Sequence, residues 1–99
     1  MNDIQAMALV RHELLNVMFN TYPKGYTRPQ LLAELRPVFS DRDNTWLTDA
    51  VTEQLRILQQ ASLVRPAAGG YTLTERGRRD RQQAAAMFKA KTTTKETAA

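Results

Sequence analysis

GGYTLTERGRRDR, residues 69–81, combines three local signals in one short stretch. The glycine pair at 69–70 can adopt a positive φ, which is typical of a tight turn. Residues 71–73 alternate in the manner of a short strand. Thr74 followed by Glu75 predicts a helix start, because a threonine oxygen caps free N–H groups and an acidic first turn suits the helix dipole. The stretch therefore predicts a turn, a returning strand and a basic helix.

The surrounding sequence completes a hairpin and a fourth helix. The first strand is predicted at residues 63–65 and the loop at 66–70. The helix covers about 75–91 and has an apolar face in its later turns. Residues 92–99 are polar and without periodicity, so a disordered tail is predicted after one domain over residues 1–91.

Three helices are predicted upstream of the hairpin. The first, residues 3–20, is apolar around most of its circumference, which is typical of a helix that is deeply buried or contacts a second subunit. The second begins at Thr27, where Gln30 can complete a capping box. The third covers about 45–61, and Trp46 near its start fits either a core position, which is favoured, or a partner anchor. Three residues could cap the third helix: Asp41, Asp43 and Asn44.

The tripeptide GYT occurs twice, at residues 25–27 and 70–72. Thr27 is predicted to cap a helix, whereas Thr72 lies within a predicted strand, and nothing else around the two copies aligns. The repetition is therefore interpreted as coincidence.

Positive charge is concentrated near the C terminus. Residues 1–64 contain six Lys/Arg and seven Asp/Glu, whereas residues 65–91 contain seven Lys/Arg and two Asp/Glu. This imbalance predicts an anionic partner, with nucleic acid, an acidic protein and an anionic surface as alternatives. Part of the charge is expected to be neutralised locally, by Glu75 with Arg78 or Arg79 and by Asp80 with Arg76.

The composition argues against several classes of protein. There is no cysteine, and His12 is the single histidine, so neither an enzymatic site nor a metal or cofactor site is predicted. The segment from Asp41 to Asn44 resembles the start of a calcium loop but lacks the glycine and the closing glutamate of that motif. No apolar run is long enough for a membrane span and no signal peptide pattern is present, so a cytoplasmic location is expected.

Three helices, a hairpin and a fourth helix predict a mainly α fold with a small β-hairpin. Three segments resemble the winged helix-turn-helix superfamily, which includes PadR-, MarR- and ArsR-like regulators: KGYTRPQLLAEL, TDAVTEQLRILQQASLV and GGYTLTERGR. The wing pattern, tyrosine-x-leucine-threonine-x-x-glycine-basic, is the most specific part. The resemblance covers about residues 5–80 and implies a three-helix core, a two-stranded wing and a C-terminal helix. Ser62 stands where the superfamily usually has glycine, which predicts a slightly strained or differently built turn.

The resemblance also implies a DNA-binding surface. Five residues of the third helix would approach bases: Thr45, Thr48, Asp49, Thr52 and Arg56. Six cations would approach phosphates: Lys24, Arg28, Arg65, Arg76, Arg78 and Arg79. The expected function is a small DNA-binding transcriptional regulator that acts by occupying double-stranded DNA, as a homodimer through its first and last helices. The alternative is a winged-helix adaptor or inhibitor that binds a protein and no DNA, which the acidic Asp49 and Glu53 favour.

Overall fold

The described part of the chain folds into four helices and one antiparallel hairpin. The computed structural model describes the backbone of residues 2–98 and the side chains of residues 2–87. The elements in chain order are α1 (Asp3–Thr21), α2 (Arg28–Leu35), α3 (Asn44–Gln60), β1 (Val64–Ala67), β2 (Gly70–Leu73) and α4 (Glu75–Ala98). The predicted mainly helical fold with a small hairpin is confirmed.

Helix starts follow the predicted capping residues. The Gln30 N–H donates to the Thr27 hydroxyl (3.3 Å) while the Thr27 N–H donates to the Gln30 amide oxygen (2.9 Å), so the capping box is confirmed. Of the three candidate caps of α3, Asp43 holds that position and accepts from the Trp46 N–H (2.7 Å). The Thr74 hydroxyl accepts from the Gly77 N–H (3.0 Å), which confirms the predicted start of α4.

The hairpin is longer than predicted. β1 runs from Val64 to Ala67, so the loop predicted at 66–70 is wrong, and the chain reverses within two residues. Gly69 and Gly70 have φ values of 85° and 121°, which glycine adopts without a Cβ penalty and which permit so short a turn. Pro66 is tolerated within β1 because a strand at a sheet edge has an unpaired side where no N–H is needed.

The C-terminal part of α4 contains the segment predicted as a tail. The helical backbone extends to Ala98, whereas side chains are described only as far as residue 87. The predicted tail, residues 92–99, therefore lies outside the residues that are described in full, and it stays a prediction.

The core lies between α1, α2, α3 and the hairpin. Its apolar side chains come from every one of these elements and, for Phe39, from the segment between α2 and α3: Val10, Leu14, Leu15, Met18, Leu31, Leu35, Phe39, Leu47, Ala50, Val51, Leu55, Leu58, Val64 and Leu73. The broad apolar circumference predicted for α1 is buried only in part, since Ile4 is 83% exposed. Trp46 is half-buried, and its ring lies 6.0 Å from the ring of buried Phe39, so its favoured core position is confirmed on that side.

The two GYT tripeptides contact each other. The Tyr26 N–H donates to the Tyr71 carbonyl oxygen (2.8 Å), and the Tyr71 N–H donates to the Tyr26 carbonyl oxygen (2.6 Å). A Cβ on Gly70 would lie 2.0 Å from the Tyr26 oxygen, so only glycine admits this approach. This bridge connects the start of α2 to the hairpin. It does not test whether the repetition is coincidence, which stays an interpretation.

The glycine of the wing pattern sets the path of α4. A Cβ on Gly77 would lie 2.1 Å from the Leu63 carbonyl oxygen, so the first turn of α4 rests directly on the backbone that leads into β1. The Thr74 N–H donates to that same oxygen (3.0 Å), and the Thr74 hydroxyl donates to the Ser62 carbonyl oxygen (2.6 Å). Ser62 has a φ of 62°, so the turn predicted to be strained does contain a non-glycine residue in the left-handed region.

We expect Gly77→Ala to destabilise the protein by about 1–3 kcal/mol, because the added methyl group overlaps the Leu63 carbonyl oxygen. At a helix position without this contact, the same change would stabilise by roughly 0.5–1 kcal/mol. Chemical denaturation measures the difference, and Gln83→Ala on the exposed surface of α4 serves as the control. A Gly77→Ala variant as stable as the native protein would contradict the close packing.

Candidate nucleic-acid interface

One face of α3 carries all five residues predicted to approach bases. Thr45, Thr48, Asp49, Thr52 and Arg56 are exposed. Their spacing of three and four residues places them along one side of the helix, opposite the buried leucines. The structure therefore presents these side chains together on the surface.

The N terminus of α2 adjoins this face. The Arg28 guanidinium donates to the Thr52 hydroxyl (3.2 Å), and both side chains are exposed. This hydrogen bond brings one predicted phosphate contact and one predicted base contact to the same place. No carboxylate among the described residues pairs with Arg28, so its positive charge is available to a ligand.

The hairpin turn lies beside the segment that leads into α2. A Cβ on Gly25 would lie 3.2 Å from the Ala68 carbonyl oxygen, so Lys24 is next to the turn. Arg65 lies opposite Thr72 in the hairpin register, and paired residues project from the same face. The Thr72 hydroxyl donates to the Pro23 carbonyl oxygen (3.5 Å), and β2 lies between this segment and β1, on which Arg65 is exposed. We call Lys24, Arg28, Arg65 and the exposed face of α3 together the α3 surface.

Arg56, the single arginine of α3, forms an ion pair with Glu53. The Arg56 guanidinium donates through two nitrogens to the two carboxylate oxygens of Glu53. These hydrogen bonds lower the pKa of Glu53 and raise the pKa of Arg56. Arg56 is therefore neutralised in the free protein, and Asp49 leaves the exposed face of α3 itself with a net negative charge.

The arginines at the start of α4 form a separate group. Arg78 donates to the Glu75 carboxylate (3.4 Å) and lies 5.6 Å above the Tyr22 ring at the end of α1. The predicted Glu75 pair is thus confirmed for Arg78, whereas the predicted pair of Asp80 with Arg76 does not form among the described residues. Helical spacing permits this ion pair, but an exposed pair gains little free energy, because two long side chains lose conformational freedom when they are held together.

Arg76 and Arg79 are exposed, and no hydrogen bond or ion pair within the described part of the chain engages either. α4 packs against α1 and β2. No side-chain hydrogen bond of the described residues connects these α4 arginines to α3. The eleven predicted site residues thus fall into two groups, the α3 surface and the start of α4.

Three further arginines, which were not assigned to the site, stabilise the fold. Arg11 donates to the Gln54 side chain of α3 (2.9 Å). Arg36 donates to Asn44 (2.6 Å) and to two backbone oxygens of the segment before α3, those of Phe39 and Arg42. Arg81 donates to Asn16 of α1 (3.2 Å). No sequence signal separates these arginines from the exposed ones. The partners of Arg11 and Arg81 are distant in the chain, and those of Arg36 lie mainly in the irregular segment before α3.

No family profile, curated protein or solved structure matches the chain with significant similarity. Within the described residues, no helix has the length and apolar character required to cross a membrane. In that same part of the chain, no group of three or more His, Cys, Asp or Glu side chains is arranged to hold a metal ion.

We expect Arg56→Gln to raise the pKa of Glu53 toward its ordinary value, because the hydrogen bonds that favour the carboxylate are lost. The native pair stabilises the fold above the unfolded pKa of Glu53, and this contribution disappears as the pH falls through the lower folded pKa. Carboxyl-detected NMR titration follows Glu53 directly. Arg28→Gln, which removes a nearby charge not bonded to Glu53, is the control. An unchanged Glu53 titration in Arg56→Gln would contradict the pairing.

Proposed function

We propose that the chain is a winged-helix regulator that binds double-stranded DNA in the cytoplasm and acts by occupying its site. The observation that carries this proposal is the hydrogen bond between Arg28 and Thr52. It joins the start of α2 to the exposed face of α3, and the segment before α2 lies against the hairpin turn. A helix face flanked by cations on two neighbouring segments matches what a groove-binding helix needs, because phosphates border the groove on both sides.

The charges of the α3 surface suggest which side chains would contact phosphates and which would contact bases. Lys24, Arg28 and Arg65 are exposed and have no carboxylate partner among the described residues, so they would contact phosphates. Thr45, Thr48 and Thr52 would face base edges, where hydroxyl groups can donate or accept. The arginines Arg76, Arg78 and Arg79 would contact phosphate further along the duplex or a second anionic surface.

Asp49 and Glu53 of α3 would need favourable contacts or new partners when the helix enters the groove. Asp49 would accept a hydrogen bond from a cytosine amino group, which is a favourable base contact for a carboxylate in the major groove. Arg56 would have to exchange Glu53 for a phosphate or a guanine. An exposed ion pair contributes little to stability, so this exchange has a small free-energy cost.

We expect the protein to bind random-sequence duplex DNA at low salt, with the logarithm of the affinity falling linearly with the logarithm of salt concentration. The slope should be about −0.9 per phosphate neutralised, because each contact releases condensed counterions. Arg28→Gln should make the slope shallower by about 0.9. Fluorescence anisotropy of labelled duplex measures both.

Arg11→Gln is the matched control for this measurement. It removes the same charge from a side chain that contacts Gln54, which is on the buried side of α3. Its slope should stay that of the native protein. Absence of binding at low salt would remove the regulator from consideration, and equal losses in the two variants would show that net charge alone drives binding.

A protein-interaction module that binds no DNA is the second candidate. It is favoured by the exposed Asp49 and the Glu53–Arg56 pair, which oppose phosphate on the face that would enter the groove. The half-buried Trp46 beside Arg42, whose guanidinium carbon lies 4.7 Å from the ring centroid, could then serve as the anchor of an adaptor or inhibitor. The absence of salt-dependent DNA binding would favour this candidate.

The regulator is further proposed to be a homodimer through α1 and α4. Both helices expose apolar side chains: Ile4 is 83% exposed and Met87 is 73% exposed. Ala8 on α1 and Ala86 on α4 are also exposed. Removal of this apolar area from water would drive association of two copies.

We expect Ile4→Glu to convert the dimer to a monomer at micromolar concentration, since a charge would be buried without a partner. Light scattering after size-exclusion chromatography measures the mass. Val38→Glu is the control, because Val38 is an exposed apolar residue outside α1 and α4 (42% exposed). A native protein with the mass of one chain would contradict the dimer.

A further inference from the structure

A cavity of about 360 Å³ lies between α1 and α4. Its apolar wall consists of Phe19, Ala84 and Ala85, and its polar wall consists of His12, Asn16 and Arg81. The volume falls within the range of small-molecule pockets, which combine an apolar lining with a few converging polar groups. None of the described residues that line it is acidic.

In the polar wall, each of the three side chains lies within hydrogen-bonding distance of the other two. One terminal nitrogen of Arg81 lies 3.2 Å from the Asn16 amide oxygen and 3.2 Å from the His12 Nδ1. The Asn16 amide nitrogen lies 3.0 Å from the His12 Nε2. The cluster links the first turns of α4 to the middle of α1.

This cluster has more donors than acceptors. Arginine only donates, so the His12 Nδ1 must accept from Arg81 and the hydrogen of a neutral ring must lie on Nε2. Nε2 then faces the Asn16 NH₂ group, and two donors meet. If the Asn16 amide is turned so that its oxygen faces Nε2, its NH₂ group faces the Arg81 guanidinium instead, and two donors still meet. In the other neutral tautomer the hydrogen lies on Nδ1, where it faces the N–H of Arg81.

The donor excess extends to the rest of the guanidinium. Nε and the second terminal nitrogen of Arg81 make no hydrogen bond within the described part of the chain. Arg81 is half-buried, so its charge is less screened than that of a free surface arginine. A group with two acceptor oxygens and a negative charge would satisfy the unpaired donors, and a carboxylate matches the planar fork of arginine.

We propose that the cavity between α1 and α4 binds a small organic carboxylate with an apolar body. The carboxylate accepts hydrogen bonds from Arg81 and from the amide or imidazole N–H that otherwise faces another donor. The apolar body packs against Phe19 and the methyl groups of Ala84 and Ala85. This site is distinct from the α3 surface, because its residues belong to α1 and α4, and it does not depend on DNA binding.

The test uses the full chain and sodium benzoate as the probe. We expect saturable changes in the NMR signals of the Asn16 side-chain amide and of the Phe19 and Ala85 backbone amides. Benzyl alcohol, which has the same ring without the charge, should produce much weaker changes. Arg81→Gln should weaken benzoate binding at least about tenfold, as is typical for loss of a charge-assisted hydrogen bond.

Arg79→Gln is the matched control, since it removes the same charge from an exposed side chain two residues away in the same helix. It should change the affinity less than about twofold. Equal losses in Arg79→Gln and Arg81→Gln, equal binding of benzyl alcohol, or absence of shifts at millimolar benzoate would each overturn the proposal. Should Arg81→Gln unfold, Ala85→Leu fills the cavity and leaves Arg81 in place, and retained benzoate binding in that variant would overturn the proposal equally.

Discussion

The Leu63 carbonyl oxygen is the point on which the arrangement of the C-terminal half depends. It accepts from the Thr74 N–H and lies against Gly77, so the end of β2 and the first turn of α4 meet the entry to β1 at one atom. This contact closes the hairpin at its base and fixes the direction in which α4 leaves it. The packing of α4 on α1, and the cavity between these helices, follow from that direction.

A second backbone contact positions the other side of the hairpin. The mutual hydrogen bonds of Tyr26 and Tyr71 attach the segment before α2 to β2, and Gly70 provides the space for them. Because Thr27 then caps α2, the same segment sets both the hairpin position and the helix start. Lys24, Arg28 and the exposed face of α3 become neighbours as a result, which is the arrangement on which the proposed DNA binding rests.

The basic character of the chain is divided among different tasks by its partners. Arg81, Arg11 and Arg36 hold elements together, and Arg56 is paired with Glu53. Among the residues whose side chains are described, the remaining exposed cations fall on two surfaces, one around α3 and one at the start of α4. Net charge alone therefore overstates how much positive potential any one surface offers, since paired charges contribute little to the field seen by a ligand.

The sequence by itself determined the element order, the helix caps Thr27 and Thr74 and the exposed face of α3, because capping and helical periodicity are local properties that neighbouring residues decide. It offered three candidates for the cap of α3, of which the structure selects Asp43. The extent of β1 escaped prediction, since a proline ordinarily ends a strand and only the edge position of this one permits it. The pairing of the GYT tripeptides and the contact of Gly77 with Leu63 join residues far apart in the chain. The hydrogen bonds of Arg81 with Asn16 and of Arg28 with Thr52 also join residues far apart in the chain. Only the tertiary structure decided these, because identical arginines differ in role solely by the groups that folding brings within hydrogen-bonding distance.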